Sequence, residues 1–286
     1  MIETARRQIR TPDGLTLMSD IAGSPGGPAV VLLHGGGQTR HSWSGAMRRL
    51  AEGGYFVVNY DARGHGESDW SPHGDYSLPA LASDLRVVLS TIDAPTVLVG
   101  ASMGGMTSFY VAATAGKPIA HALVMVDIVL HPAAAGAAKI RKFMTSHAGG
   151  FKDIDEAANA VTAYNPDRPR PSDTSGLLKN LRLRADGRLY WHWDPRLLDA
   201  MPSAEPPSWA EELERISSNL VIPTLLVRGS RSEIVDDDGV AQMRKLVPQT
   251  EVYDVAGAGH MVAGDANDAF NDGVVAFLNQ HLPKQL

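Results

Sequence analysis

The sequence contains no cysteine among its 286 residues. Disulfide bonds, thiolate metal sites and a cysteine nucleophile are therefore excluded. No apolar run approaches the roughly 20 residues that span a bilayer, and the N-terminus lacks the apolar core of a signal peptide. These absences predict a cytoplasmic protein with no membrane partner.

Basic clusters are also absent, and the net charge is -6. This predicts that the chain binds neither nucleic acid nor an anionic surface. The histidines show no metal-binding spacing, and no G-x-G-x-x-G or phosphate-loop motif is present. We therefore expect neither a metal nor another cofactor. The sequence does not predict the oligomeric state.

What is present is a globular composition, with 44% hydrophobic residues, and an alternation of apolar runs with helix-like stretches. Short continuous apolar runs are typical of a parallel sheet covered on both faces. Two polar-flanked stretches at 6–10 and 15–21 surround Pro12-Asp13-Gly14, a turn signal that predicts an antiparallel hairpin. The fold class expected is α/β, with a mostly parallel, doubly wound sheet and an N-terminal hairpin. The predicted strands are 29–33, 55–60, 96–99, 122–126, 224–227 and 251–255, and the predicted helices are 43–52, 78–91, 103–115, 239–246 and 267–282.

The alternation stops at residues 131–218, which are rich in Ala, Pro, Arg and Trp. We interpret this region as a helical cap inserted into a core made of residues 1–130 and 219–286. Its expected place is above the carboxyl ends of the strands, where ligand sites of open α/β sheets lie.

The motif Gly100-Ala101-Ser102-Met103-Gly104 follows an apolar strand and opens a helix. This context is typical of the strand–turn–helix that carries a serine nucleophile. Small residues two positions before and after the serine let the strand and helix approach closely, so that the hydroxyl projects from the sheet. A glycine-rich turn without chemistry is the alternative. We predict that Ser102 is the nucleophile.

A second glycine-rich stretch, His34-Gly35-Gly36-Gly37, follows the strand 29–33. Glycines here leave backbone N–H groups unobstructed, and we expect the N–H groups of Gly36 and Met103 to form an oxyanion hole.

A serine also needs a base. His260 follows a strand and the loop 256–259, which is where the sheet ends, whereas His65 belongs to a tight structural turn and His192 to the expected cap.

Together these motifs resemble the α/β-hydrolase superfamily. The serine turn, the glycine loop, the turn Asp61-Ala62-Arg63-Gly64-His65-Gly66 and the stretch Gly257-Ala258-Gly259-His260 occur in the order and at the spacing of that superfamily. The resemblance is nearest to capped bacterial esterases, carbon–carbon bond hydrolases and cofactor-free haloperoxidases. It implies acyl transfer to serine followed by hydrolysis, with a triad in the order Ser, acid, His.

The resemblance leaves the acid open. In many members an Asp follows the strand after the cap, in the pattern Arg-Gly-x-x-Ser-Asp. Residues 228–233 read Arg-Gly-Ser-Arg-Ser-Glu, so Glu233 takes that place and is the preferred acid. Asp127, at the end of the preceding strand, is the alternative. The acidic run 236–238 is a third option, although a helix N-cap explains it better.

The segment Tyr190-Trp191-His192-Trp193-Asp194-Pro195 is dense in rings in a chain with only 6% aromatic residues. Trp191 and Trp193 either line an apolar pocket or anchor the core of the cap. Gly37 and Trp43 are the other expected substrate contacts.

The leading hypothesis is a serine hydrolase of carboxylic esters, thioesters or lactones with an apolar acyl group. The alternatives are a carbon–carbon bond hydrolase, a perhydrolase or haloperoxidase, and a small-molecule receptor with little turnover.

Overall fold

The structure is a computed structural model that describes residues 3–166, 170–199, 208–260, 262 and 267–282. Within these ranges the main sheet has eight strands in the order β1-β2-β4-β3-β5-β6-β9-β10. The hairpin β1–β2 and the pair β2–β4 are antiparallel, and the other pairs are parallel. The strands are β1 Thr4–Arg10, β2 Thr16–Ala22, β3 Ala29–Leu33, β4 Phe56–Tyr60, β5 Thr96–Ala101, β6 Ala122–Val126, β9 Thr224–Gly229 and β10 Thr250–Val255.

Helices cover both faces of the sheet because its central strands are apolar on both sides. All five residues of β3, β4 and β6 are buried. On one face α1 and α8 form an apolar core with the sheet, and on the other face α2, α3, α6 and α7 do so. The helices are α1 Ser44–Glu52, α2 Leu78–Ser90, α3 Met103–Thr114, α4 Ala134–Thr145, α5 Ile154–Tyr164, α6 Ser208–Ile216, α7 Asp237–Leu246 and α8 Asn267–His281.

Residues 131–218, here called the inserted segment, lie between β6 and β9. They contain α4, α5, the antiparallel pair β7 Leu181–Leu183 and β8 Leu189–Trp191, and α6. Residues 167–169 and 200–207 of this segment lie outside the described residues. Phe151, Leu181 and the two tryptophans at 191 and 193 belong to a separate apolar cluster, whereas Leu213 of α6 packs into the main core. The inserted segment therefore has a small core of its own.

None of the helices within the described ranges has the length and apolar character needed to cross a membrane.

Candidate active site

Ser102 lies in the turn between β5 and α3, with an unusual backbone conformation. Its φ is 46° and its ψ is -114°, a region that a residue with a side chain rarely occupies. The Ser102 N–H donates to the Val126 carbonyl oxygen at 3.1 Å, which ties the turn to the neighbouring strand. The side chain is partly exposed and lines a cavity.

Glycines make this turn possible by allowing close approach of backbone atoms. A Cβ at Gly100 would lie 2.3 Å from the Gly104 carbonyl oxygen, and a Cβ at Gly104 would lie 2.5 Å from the Leu33 carbonyl oxygen. Both separations are shorter than any real contact of this kind. The spacing of small residues around Ser102 thus permits α3 to begin directly against β3 and β5.

His260 and Asp127 are in direct contact. Asp127 directly follows β6, and its Oδ2 lies 2.7 Å from His260 Nδ1. A carboxylate only accepts hydrogen bonds, so Nδ1 carries the proton and Nε2 is left unprotonated in the neutral ring. The Asp127 side chain is fully buried, while the His260 side chain is 18% exposed. His260 lines the same cavity as Ser102.

Glu233, the acid that sequence reasoning preferred, does not occupy this place. Its carboxylate is 59% exposed and forms an ion pair with Lys139 Nζ at 2.6 Å. The loop after β9 instead supplies hydrogen-bond donors to Asp127: the Gly229 N–H donates to Oδ1 at 3.0 Å and the Ser232 hydroxyl donates to Oδ2 at 2.6 Å. The structure therefore corrects the placement of the acid, and brings the alternative, Asp127, to His260.

The loop that carries His260 is bonded to the end of β9. The Arg231 N–H donates to the Ala258 carbonyl oxygen at 2.9 Å. A Cβ at Gly229 would lie 2.4 Å from the Gly259 carbonyl oxygen, so only glycine permits the backbones to come this close. These contacts fix the backbone from which the His260 ring reaches Asp127.

The glycine loop, residues 34–37, lies beside the serine turn. A Cβ built on Gly35 would lie 3.4 Å from Ser102 Cβ. The N–H groups of Gly36 and Met103 donate to no other group in the described part of the chain, and both residues line the cavity. Met103 is also the first residue of α3, where the helix dipole favours negative charge.

One buried histidine, His34, begins the glycine loop, and two more, His65 and His192, contact it. The ring centroids lie 5.0 Å apart for His34 and His65 and 5.9 Å apart for His65 and His192. Burial lowers the pKa of His65 to about 3, and it lowers the pKa of His34 and of His192 as well. All three rings are therefore neutral at physiological pH. His260 differs from them because it alone among these four contacts a carboxylate.

The cavity above the strand ends has a volume of about 1320 Å³. It lies between the carboxyl ends of the parallel strands, which contribute Gly36, Ser102 and His260, and the inserted segment. Most of its exposed lining is apolar. The apolar residues of the lining include Met106, Ile140, Phe143, Met144, Val161 and Trp209.

The aromatic residues predicted at the site divide into two groups. Trp191 and Trp193 stack with their ring centroids 5.0 Å apart and line the cavity, while also belonging to the core of the inserted segment. Gly37 lines the cavity too. The prediction that Trp43 contacts the substrate is wrong. Trp43 is 1% exposed, packs against Phe270 of α8, and is not part of the cavity lining. Trp43 directly precedes α1, so its side chain joins the core beneath that helix.

No group of three His, Asp or Glu side chains arranged to hold a metal ion occurs within the residues that the structure describes.

The family comparison agrees with this geometry. A family model described as the alpha/beta hydrolase fold matches residues 28–266. The chain belongs to this family. The predicted fold, with its mostly parallel sheet, N-terminal hairpin and insertion, is confirmed.

Two curated members of the alpha/beta hydrolase family are 30% identical to the chain. The sn-1-specific diacylglycerol lipase ABHD11 of Mus musculus matches over 267 residues, 88% of this chain and 81% of the lipase. The esterase Rv0045c of Mycobacterium tuberculosis matches over 246 residues, 83% of this chain and 78% of the esterase.

Solved structures of alpha/beta hydrolases superpose over nearly the whole chain. The crystal structure of Rv0045c has a TM-score of 0.76 at 26% identity, covering 98% of this chain and 92% of that chain. An E-2-(acetamidomethylene)succinate hydrolase has a TM-score of 0.84 at 22% identity, covering 97% of this chain and 100% of that chain. At that identity the second likeness concerns the fold.

Two residues of the site escaped sequence reasoning. Ser232 donates to Asp127, and His192 contacts the glycine loop from the inserted segment. The signal for Ser232 was its place in the loop that carries the acid in many relatives. Nothing in the sequence pattern pointed to the contact of His192 with Gly37, because this contact depends on how the inserted segment packs on the core.

Proposed function

We propose that this chain is a serine hydrolase that cleaves a carboxylic ester, thioester or lactone with an apolar acyl group. The observation that carries the proposal is the 2.7 Å contact between His260 Nδ1 and Asp127 Oδ2, at the sheet end from which Ser102 projects. Ser102 and His260 line one cavity, and a serine, a histidine and a buried carboxylate grouped at one site are the members of a serine triad. Two relatives at 30% identity are named for ester hydrolysis, and we extend that chemistry to this chain.

In the proposed reaction the Ser102 hydroxyl oxygen attacks the substrate carbonyl carbon, and His260 Nε2 takes the hydroxyl proton. Asp127 stabilises the resulting imidazolium through its contact with Nδ1–H. The N–H groups of Gly36 and Met103 donate to the carbonyl oxygen as it becomes negative. The tetrahedral intermediate collapses, the leaving group departs with the proton from His260, and an acyl-enzyme remains.

Water then completes the cycle. His260 Nε2 removes a proton from the water molecule as its oxygen attacks the acyl carbon. The second tetrahedral intermediate breaks the bond to the Ser102 oxygen, which recovers the proton from His260. The products are a carboxylic acid and the regenerated serine, so no cofactor is required by the balance of atoms and electrons.

The inserted segment is proposed to act as a cap that selects a small-molecule substrate. Its apolar side chains face the cavity, and the cavity volume of about 1320 Å³ exceeds the roughly 300–1,000 Å³ of ordinary small-molecule pockets. This room suits an extended or bulky acyl chain.

The proposal is tested by labelling with a fluorophosphonate and by turnover of a chromogenic ester. The expected result is stoichiometric labelling that the Ser102→Ala variant abolishes, and a burst of chromophore followed by steady turnover. Undiminished labelling of Ser102→Ala would contradict the nucleophile. Labelling and tight ester binding with negligible turnover would favour the receptor alternative, and turnover confined to a carbon–carbon bond substrate or to perhydrolysis would favour those enzymes.

A further inference from the structure

Both backbone polar groups of Gly37 are bonded to histidine side chains. The Gly37 N–H donates to His65 Nε2 at 3.1 Å, and the Gly37 carbonyl oxygen lies 3.3 Å from His192 Nε2. His65 belongs to the turn after β4, whereas His192 belongs to the inserted segment. The loop that carries the Gly36 N–H is therefore fixed jointly by the core and by the inserted segment.

The partners of each ring nitrogen assign the tautomers. His192 Nδ1 accepts from the Gly66 N–H at 2.7 Å, so its Nε2 carries the proton and donates to Gly37. His65 Nδ1 faces the Arg63 carbonyl oxygen at 3.0 Å, so it carries the proton and leaves Nε2 to accept. A neutral ring with one donor and one acceptor satisfies every one of these contacts, and burial keeps the pKa of His192 well below its usual value.

The conformation of the loop depends on these contacts. Gly37 has a φ of 73°. Glycine adopts this angle without steric cost, but it adopts many other conformations as readily. A Cβ at Gly37 would lie 3.3 Å from the ring of Trp193, so the neighbour of His192 packs on the same residue. His192 is 2% exposed, so water does not compete for its hydrogen bond to Gly37.

The Gly35 carbonyl, on the other side of the loop, is held by His34 and by the Gln38 N–H. The Gly35 carbonyl oxygen accepts from the Gln38 N–H at 3.1 Å and lies 2.8 Å from His34 Nδ1. His34 Nε2 accepts from the Ala62 N–H at 2.9 Å, so Nδ1 is the donor. Because the peptide group is planar and trans, these bonds turn the Gly36 N–H away from the core. The Gly37 N–H shares its peptide group with the Gly36 carbonyl, so its bond to His65 fixes the far end of Gly36. The Gly37 carbonyl shares its peptide group with the Gln38 N–H, so the bond from His192 orients the donor that holds the Gly35 carbonyl oxygen.

We propose that His192 is a positioning residue through which the inserted segment sets the orientation of the Gly36 N–H. This inference rests on the proposed function, because it takes Gly36 as an oxyanion donor. The inserted segment supplies the hydrogen bond to the Gly37 carbonyl oxygen. The packing of this segment on the core and the geometry of the oxyanion hole are thereby coupled through one side chain.

Two substitutions separate the two hydrogen bonds of His192. His192→Gln retains an amide N–H at the Nε2 position, which can donate to Gly37. His192→Asn places its amide at the Nδ1 position, where it can accept from Gly66 but cannot reach Gly37. We expect His192→Asn to lower kcat about 10–100-fold, as expected for an oxyanion donor that is misplaced but not deleted. We expect KM to stay within about twofold of the wild-type value, and His192→Gln to recover most of kcat.

A transition-state analogue gives a second readout. A trifluoromethyl ketone forms a tetrahedral oxyanion on the serine, so its Ki in His192→Asn should rise by the same factor as kcat/KM falls. His147→Asn is the matched control, since His147 lies in the inserted segment, stacks on Phe151 and does not contact the glycine loop. It should match the wild type in both measurements.

Three results would overturn the inference while leaving the proposed function intact. One is an unchanged kcat in folded His192→Asn. Another is equal loss in the Asn and Gln variants. The third is a rise of KM in His192→Asn that accounts for the fall in kcat/KM, with no change in the Ki of the ketone. Failure of the proposed function is distinguishable, because the wild type itself would then show neither serine labelling nor ester turnover. Thermal unfolding of each variant confirms that a folded protein is compared.

Discussion

Ser102 and Asp127 share a feature that no other non-glycine residue has in the described part of the chain. Their φ angles are positive, 46° for Ser102 and 48° for Asp127. Such a conformation costs about 1–3 kcal/mol and persists only where surrounding structure imposes it. Both residues directly follow parallel strands, and both turn their side chains toward the cavity end of the sheet. The strain therefore coincides with the two side chains that the proposed reaction places on either side of His260.

The role of Asp127 leads to a prediction that also tests Glu233. Asp127→Asn replaces the acceptor at Oδ2 by an amide, which favours the wrong tautomer of His260. We expect kcat/KM to fall by up to about 10⁴-fold, the loss typical of this change in a serine triad. The matched control is Glu233→Gln, which also converts a carboxylate to an amide but at an exposed ion pair. Its kcat/KM should stay within about threefold of the wild type, because exposed ion pairs contribute little.

The opposite pattern, a large loss in Glu233→Gln with Asp127→Asn nearly normal, would contradict the assignment. Steady-state kinetics with the same chromogenic ester checks both variants. Urea unfolding of each variant is the accompanying control, because Asp127 is buried and also accepts from Gly229 and Ser232. A kcat/KM loss measured on a fully folded variant then reports on the chemistry.

At this scale the sequence predicted that Ser102 and His260 share one site, and both line one cavity. It preferred Glu233 as the acid, whereas the structure brings Asp127 to His260. Ser102 and His260 sit in short patterns whose geometry is local: a glycine-flanked turn and a loop at a strand end. The acid depends on two loops that meet only in the folded chain. Glu233 has the right sequence position, but its side chain turns outward to Lys139, while Ser232 beside it reaches Asp127. Residue order in one loop cannot show which of two neighbouring side chains turns inward.

Among the elements, the strands of the parallel sheet were the most predictable. The predicted strand 29–33 coincides with β3, and 122–126 coincides with β6, because these strands are apolar on both faces. Predicted strands 96–99 and 224–227 end two residues short of β5 and β9, which close with Gly100-Ala101 and Arg228-Gly229. The hairpin β7–β8 was missed. Each of its strands has three residues, too few to show an alternation of apolar and polar positions.

The contact between α3 and β3 yields a prediction at the element scale. In Gly104→Ala the added methyl would lie 2.5 Å from the Leu33 carbonyl oxygen, so α3 must move away from β3. We expect a loss of about 1–3 kcal/mol in the free energy of unfolding, the usual cost of overpacking. The shift also displaces the Met103 N–H and Ser102, so kcat should fall more than tenfold, roughly the effect of disturbing one oxyanion donor.

The matched control is Gly45→Ala in α1. A Cβ at Gly45 meets no atom within 4 Å, and alanine is favoured over glycine in a helix by about 0.5–1 kcal/mol. This variant should be as stable as the wild type or more so, with unchanged kcat. Urea unfolding and ester kinetics on the pair check the prediction. A Gly104→Ala protein with normal stability and activity would contradict the close packing of α3 on β3.

At the scale of the whole molecule, three buried neutral histidines connect the sheet, the glycine loop and the inserted segment. His34 follows β3, His65 lies in the turn after β4, and His192 belongs to the inserted segment. The charged groups that act on them are Asp61, which favours protonation, and Arg40 and Arg182, which oppose it. Burial outweighs Asp61, so the pKa values of the three rings lie below the usual value. Protonation of any of these rings would place a charge in a buried junction beside the cavity, which burial disfavours.

This junction makes the stability of the folded protein sensitive to acid. In the unfolded chain a histidine binds a proton with a pKa near 6.5, whereas His65 in the fold does so only at about pH 3. Between these pH values the unfolded state carries more protons, so the free energy of unfolding decreases as the pH falls. The contribution of His65 is fully present above about pH 7.5 and is lost at up to about 1.4 kcal/mol per pH unit below pH 6.

Comparison with a variant isolates this contribution from all carboxylates. His65→Gln removes the titrating ring, so urea unfolding between pH 8 and pH 5 should give a smaller loss of stability than in the wild type. Below pH 6 the difference between the two slopes of unfolding free energy against pH should approach the value for one bound proton, about 1.4 kcal/mol per pH unit. Equal slopes in the wild type and His65→Gln would mean that the buried ring accepts a proton in the folded state, contrary to the tautomer assigned from its contacts with Arg63 and Gly37.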